Sequence, residues 1–335
     1  MATNNWPTSR TVAPGGSRVS QLRRTLGLFV LVSVFFGGTF VAAKVGQASI
    51  PPLLLVALRF DIAAAVLLGY VLVTRERTEW LPKTSGDMYA ILAAGIFAIG
   101  LANGLLFVGQ GSVSSGVGAI LFALVPIFAP LFASLLLSDE PLSATGIVGT
   151  LLGLVGVGMV IEITPATMVQ LFDGGAILVL GGAVSLALGT VLIRRANASL
   201  SSTVRTAWAL PVSAVVSHAL SIGVGESTAT IEWTVGGVVA LAYLSIVAGA
   251  IAYIMYFNLL EEVGATQSSL IFYASPLVAT VGGWLLLGES LSMTTVIGFA
   301  VVVAGFVIIG FESLLPMIRR VGSQRSSSAP SVRSN

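Results

Sequence analysis

Residues 126–156 read PIFAPLFASLLLSDEPLSATGIVGTLLGLVG, and residues 276–305 read PLVATVGGWLLLGESLSMTTVIGFAVVVAG. Set side by side, Pro126 falls on Pro276, and Asp139-Glu140-Pro141-Leu142-Ser143 falls on Gly288-Glu289-Ser290-Leu291-Ser292. Gly149 and Gly156 fall on Gly298 and Gly305. Each stretch is an apolar run, a short acidic hinge and a second, glycine-rich apolar run. The offset of about 150 residues also holds upstream, where Gly38-Thr39 and Lys44 fall on Gly189-Thr190 and Arg195. Matches in one order at nearly constant spacing mark an internal repeat.

The rest of the chain has the same character. Of its 335 residues, 56% are hydrophobic and only 9% charged, and the mean hydropathy is +0.99. A soluble domain carries about 25% charged residues, so this chain lacks the polar material to cover a water-facing surface. Its apolar blocks are about 20 residues long, enough to cross roughly 30 Å of hydrocarbon at 1.5 Å per residue. Ten spans are predicted: 26–46, 51–73, 88–109, 114–137, 143–162, 174–193, 203–222, 235–257, 265–287 and 293–312. Residues 1–25 and 321–335 are polar, rich in Ser and Arg, and read as disordered tails. Arg23-Arg24 precedes an apolar run too long for a twin-arginine signal peptide.

Charge placement sets the expected topology. With both termini cytoplasmic, all sixteen basic residues except Lys44 and Arg59 fall on the inner side, among them Arg75, Lys83, Arg194 and Arg195. The outer loops then hold Glu162, Asp173, Glu226, Glu232 and Glu289. That pattern is the positive-inside rule, and an odd number of spans would break it. Five spans per half is odd, so the second half must enter the membrane inverted. The expectation is an all-α polytopic membrane protein of two inverted five-helix repeats, 26–163 and 174–312. Such repeats build many secondary transporters, because one pattern inserted both ways gives two packings that open to opposite sides.

These features together resemble the drug/metabolite transporter superfamily, in its EamA-domain branch. Phe36-Gly37-Gly38-Thr39-Phe40 in span one and Arg59-Phe60 in span two carry the resemblance. So do Pro126 and Pro276, each followed by an acidic hinge (Asp139-Glu140 and Glu289), and the glycine-rich fifth and tenth spans. Family members often have Trp before the span-one glycine, where this chain has Phe36. The resemblance implies a carrier of small organic solutes such as amino acids, nucleobases or drugs, often moving them outward.

Other functions lack their residues. With no cysteine and one histidine, thiol catalysis, disulfides and multi-histidine metal centres are excluded, and no metal or cofactor is expected. No nucleophile–base pair or paired carboxylates suggest an enzyme, and no G-x-x-x-x-G-K-[ST] loop suggests an ATP-driven pump. The net charge of +2 comes from residues near the two ends, so no nucleic-acid partner is implied. A channel or lipid-handling scaffold is the competing class, although no ring of charge or repeated filter sequence is visible.

Candidate site residues follow from polarity inside the spans. Arg59 and Asp61 are the charges deep in a predicted span, where an ionised group costs about 2.5–3.5 kcal/mol and should face the bundle interior or a wet cavity. One assignment has Arg59 meeting a substrate anion and Asp61 taking a proton or cation; the other makes both structural links. Thr39, Asn103 and Gln110, with Tyr253, Asn258, Gln267 and Tyr273 in the second half, are expected to wall a polar cavity. Pro126 and Pro276 remove backbone donors within spans, and Glu140 and Glu289 are expected to cap helix starts at the hinges. Lys44 is expected to snorkel to the interface, and His218 to lie at the interface without a role. Gly100-xxx-Gly104 and Gly149-xxx-Gly153 have the spacing of close helix contacts, compatible with a homodimer without proving one.

Overall fold

The computed structural model describes residues 16–137, 144–160, 174–259, 271–305 and 307–308, leaving aside the side chains of 16–22, 144–146 and 273. Glu140 and Gln267, and the side chain of Tyr273, lie outside the described residues. The described chain is all helical, without a strand. Its apolar helices are α1 (Gly16–Gln47), α2 (Pro52–Thr74), α3 (Ser85–Gln110), α4 (Ser115–Leu136), α5 (Ala144–Val160), α6 (Gly175–Arg195), α7 (Ser202–Gly223), α8 (Val235–Leu259), α9 (Ile271–Leu287) and α10 (Met293–Gly305). Seven of these are long and apolar enough to cross a membrane; in α5, α9 and α10 the described apolar helix is shorter.

Each helix covers one apolar block of the sequence, α1 also running back through residues 16–25 of the stretch expected to be a disordered tail, and several ends have local causes. Pro52 opens α2, where a missing N–H costs nothing. Ser114, Ser201 and Thr234 accept from the backbone N–H three residues on and so cap α4, α7 and α8. Two helices depart from α geometry at matching places. Ala94–Leu101 in α3 and Tyr243–Ile251 in α8 are π-helical. In α4 the helix breaks at Ala123 and Leu124 and resumes at Val125, with Pro126 in the first turn of the resumed part.

Packing pairs the two halves throughout. α2 runs along α7 and α4 along α9, while α1 lies against α8 and α9 as α6 lies against α3 and α4. Glycines make the closest approaches. A Cβ on Gly37 would strike Val278 of α9, and one on Gly38 would strike the Tyr243 hydroxyl of α8. Gly189 presses in the same way on the Ala98 backbone of α3. Gly156 meets Gly298 and Gly149 meets Gly305, so α5 and α10 touch backbone to backbone and run antiparallel. The glycine spacing in α5 is thus used inside the chain, as is that of Gly100 and Gly104, which face Val216 and Leu220 of α7.

The bundle has two ends, named here by their charges. The basic end carries Arg75, Lys83 and Arg195; the acidic end carries Glu226, Glu232 and Glu289. At the basic end Asp87, fully buried, accepts from the N–H groups of Lys83, Thr84, Ser199 and Leu200 and from the Ser199 hydroxyl. At the acidic end Glu226 accepts from the N–H groups of Leu53 and Leu54 and from the Ser221 hydroxyl. The first turn of α3 thereby holds the residues just before α7, and the segment after α7 holds the start of α2.

Candidate substrate cavity

A cavity of about 310 Å³ lies between the halves, walled by α1, α2, α3 and α4 on one side and α6, α7, α8 and α9 on the other. That volume is at the small end of the range for ligand pockets. Of the sequence-predicted residues, Thr39, Arg59, Asn103 and Tyr253 line it. Thr39 turns its hydroxyl back to the Phe35 carbonyl, 3.3 Å away.

Arg59 is the central polar group. It is 5% exposed, and its guanidinium lies 4.4 Å from the Phe60 ring centre and 4.7 Å from that of Phe107. Its Nη2 donates to Asn103 Oδ1 at 2.8 Å. Asn103 in turn donates through Nδ2 to the Ile99 carbonyl at 2.7 Å, which fixes its oxygen toward the arginine. Cation–π contacts reach about 2 kcal/mol when desolvated, so two rings offset much of the cost of holding this charge in the membrane. They do not satisfy its donors. Nε and Nη1 are buried without a hydrogen-bond partner.

The remaining predicted residues lie elsewhere. Gln110 is buried at the acidic end, where its Nε2 donates to the Phe40 carbonyl. Asn258 is exposed near the other end of α8. Asp61 is on the perimeter of the bundle, two residues from Arg59 and so on a different helix face. There Asp61 Oδ2 pairs with His218 Nε2 of α7 at 2.9 Å, with the two side chains 47% and 41% exposed. His218 therefore has a partner the sequence did not suggest. Trp208 donates to the Trp80 carbonyl at 2.7 Å and packs against the Trp80 ring, tilted by 30° with centres 6.2 Å apart, a packing role.

Pro276 lies inside α9 and so offers no N–H to the carbonyl of Phe272, whose residue lines the cavity. The α4 break serves the same space, since Ala123 and Val125 on its two sides also line it. Glu289 departs from its expected part. It binds the start of α4 rather than α10, accepting from Ser115 N at 2.8 Å and Ser115 Oγ at 3.2 Å. It also pairs with Lys44 Nζ at 3.1 Å. Lys44 is thus tied inward instead of snorkelling. A Cβ on Gly283 would collide with this carboxylate, so a larger residue there would displace Glu289 from its place.

Several lining residues were not singled out from the sequence: Arg205 and Thr206 of α7, Thr190 and Ile193 of α6, and Phe122 of α4. Thr190 had a signal, being the repeat partner of Thr39. Arg205 lies in the first turn of α7 and donates to Ser202 Oγ at 3.3 Å. The lining thus runs from Thr39 and Arg59 toward the basic end, reaching Ile193 and Arg205 in terminal helix turns. At the other end Lys44, Ser115 and Glu289 tie α1, α4 and the segment after α9 together.

The sequence profile of the EamA-like transporter family matches residues 23–162 and again 173–311. The chain belongs to this family. Over 294 residues it is 28% identical to the uncharacterized inner membrane transporter YedA of Escherichia coli (strain K12), covering 87% of this chain and 92% of that one. It is 26% identical to the uncharacterized transporter YoaV of Bacillus subtilis (strain 168), over 82% and 93% of the two chains. Protein PagO of Salmonella typhimurium is 28% identical over 75% and 81%. A crystal structure of 20% sequence identity superposes with a TM-score of 0.59 over 90% of this chain and 99% of its own, the same fold. This EamA-family chain is a multi-pass membrane protein of transporter type.

Proposed function

We propose that this EamA-family chain is a secondary carrier that moves a small organic solute outward across the cytoplasmic membrane by alternating access. Ten helices cross the bilayer as two inverted repeats, 26–163 and 174–312, with both tails on the cytoplasmic side. The antiparallel pairing of α5 with α10 and of α2 with α7 supports inversion, and the basic residues support the orientation.

The carrying observation is the cavity walled by both halves, running toward the basic end and tied off at the other by Lys44, Ser115 and Glu289. In that orientation the solute enters from the cytoplasm and meets Thr39, Arg59, Asn103 and Tyr253. The opposite state requires the Glu289 contacts to part. Asp61 remains the candidate for proton coupling, acting through His218 and the α2–α7 contact instead of touching the solute. Pro126 and Pro276 mark where helices bordering the cavity give way.

The test is counterflow in sealed vesicles holding the purified chain, with a panel of metabolites and no ATP. Exchange of at least one solute class is expected. Steady ion conductance without counterflow of any solute would overturn the carrier and favour a channel.

A further inference from the structure

Resting on the carrier reading, we infer that the cavity takes a small organic anion with an aromatic body, whose carboxylate meets Arg59. Arg59 is almost completely buried and lines the cavity. Its Nε and Nη1 have no partner while Nη2 is held by Asn103. A guanidinium at a cavity wall whose buried N–H groups lack a partner gains most by turning them to an acid oxygen, because charge-assisted bonds are the strongest such donors make. A purely structural arginine would have those donors closed by carbonyls or carboxylates.

The second observation is the sign of the lining. Arg59 and Arg205 both face the cavity, and none of its described lining residues is acidic. An amino acid zwitterion would bury its ammonium against neutral oxygens alone, which is costly in a small space. An amine would meet two like charges. An anion passing in from the basic end finds Arg205 first, in the opening turn of α7, and Arg59 deeper.

The third observation is the apolar remainder. Phe36 packs edge-on against Tyr253 with centres 5.5 Å apart, and Tyr253 stacks on Phe257 at 6.1 Å. All three line the cavity, as do Phe40 and Phe122, which meet edge to face at 6.3 Å. Such rings accept a flat ring in offset or edge-on contact.

The experiment uses the detergent-purified full chain and equilibrium dialysis at neutral pH with four matched probes: phenylacetate, its neutral amide, phenylalanine and phenethylamine. Phenylacetate should bind at least about tenfold more tightly than each of the others, a difference of about 1.4 kcal/mol. Excess chloride or sulfate should compete only weakly. Arg59→Gln should abolish the preference for acid over amide, and Arg59→Lys should restore part of it. Arg205→Gln should weaken phenylacetate binding by a smaller factor.

Equal binding of acid and amide, tighter binding of phenylalanine, no binding of phenylacetate, or full displacement by chloride would each overturn the assignment. So would a folded Arg59→Gln variant with unchanged selectivity. If that variant does not fold, the wild-type probe series still decides. Selective binding without counterflow in vesicles would sink the carrier and keep the anion site. Counterflow of neutral or zwitterionic solutes alone would do the reverse.

Discussion

Two helix contacts join the halves, α2 with α7 and α4 with α9, yet they are fastened differently. Around the α2–α7 pair a carboxylate sits at each end: Asp87, in the first turn of α3, accepts from N–H groups just before α7, and Glu226, after α7, accepts from N–H groups at the start of α2. Between α4 and α9 the described residues supply one such carboxylate, Glu289, and its other partner is the flexible head of Lys44. A carboxylate on backbone donors has little freedom and several bonds to lose. A partly exposed Lys–Glu pair is worth only about 0–1 kcal/mol. Under the proposed alternating access, the first contact would serve as a fixed axis and the second as a releasable seal.

Asp87→Ala should break the comparison most severely. It removes a fully buried carboxylate that serves four backbone N–H groups, and a loss of about 3 kcal/mol is expected, visible as a large fall in Tm and in folded yield. Glu226→Ala should cost less, about 1–2 kcal/mol, because Glu226 is only half-buried and has fewer backbone donors than the fully buried Asp87. If either variant lost transport with unchanged Tm, the α2–α7 contact would not be the fixed axis.

Changes at the seal should act on the transport cycle more than on stability. Glu289→Gln removes the Lys44 ion pair and weakens the Ser115 bonds, at a cost of about 1 kcal/mol or less. Labelling of a cysteine introduced near Trp284 should then rise, in a chain with no native cysteine to interfere. Exchanging the two charges, with Lys44→Glu and Glu289→Lys together, should bring labelling partly back. Unchanged labelling in Glu289→Gln would show that the pair seals nothing.

The smallest expected effect on stability is that of Asp61→Asn, since both members of the pair are exposed. The variant should fold with a Tm near that of the parent and lose the dependence of transport on a pH gradient. Full retention of that dependence would remove Asp61 from coupling and leave the α2–α7 contact purely structural.

The helices were legible in the sequence because a span is a property of composition and length, which every residue in a block helps to set. Thr39, Arg59, Asn103 and Tyr253 were legible as cavity candidates because polar groups deep in apolar runs have few places to go. Asn258 shows where that inference stops. It lies in the last turn of α8 and is exposed, and near a helix end a polar side chain can reach the interface, so polarity alone does not turn it inward. Arg205 was read as a topological charge because it sits at a helix start, and only the tertiary packing turns it inward. Glu289 was read as a local cap, whereas its partners Lys44 and Ser115 are far away in the chain and no local pattern names them.

The glycine contact between α5 and α10 carries a different implication. The same face of the two fifth helices meets itself, Gly156 on Gly298 and Gly149 on Gly305, in opposite directions. Such an interface is isologous, as in a two-fold homodimer. A single five-helix unit therefore already holds the surface on which an upside-down copy of itself would dock. On the inverted-repeat reading, the tandem chain carries both halves of that two-fold interface in one polypeptide, so the α5–α10 contact forms without a second copy.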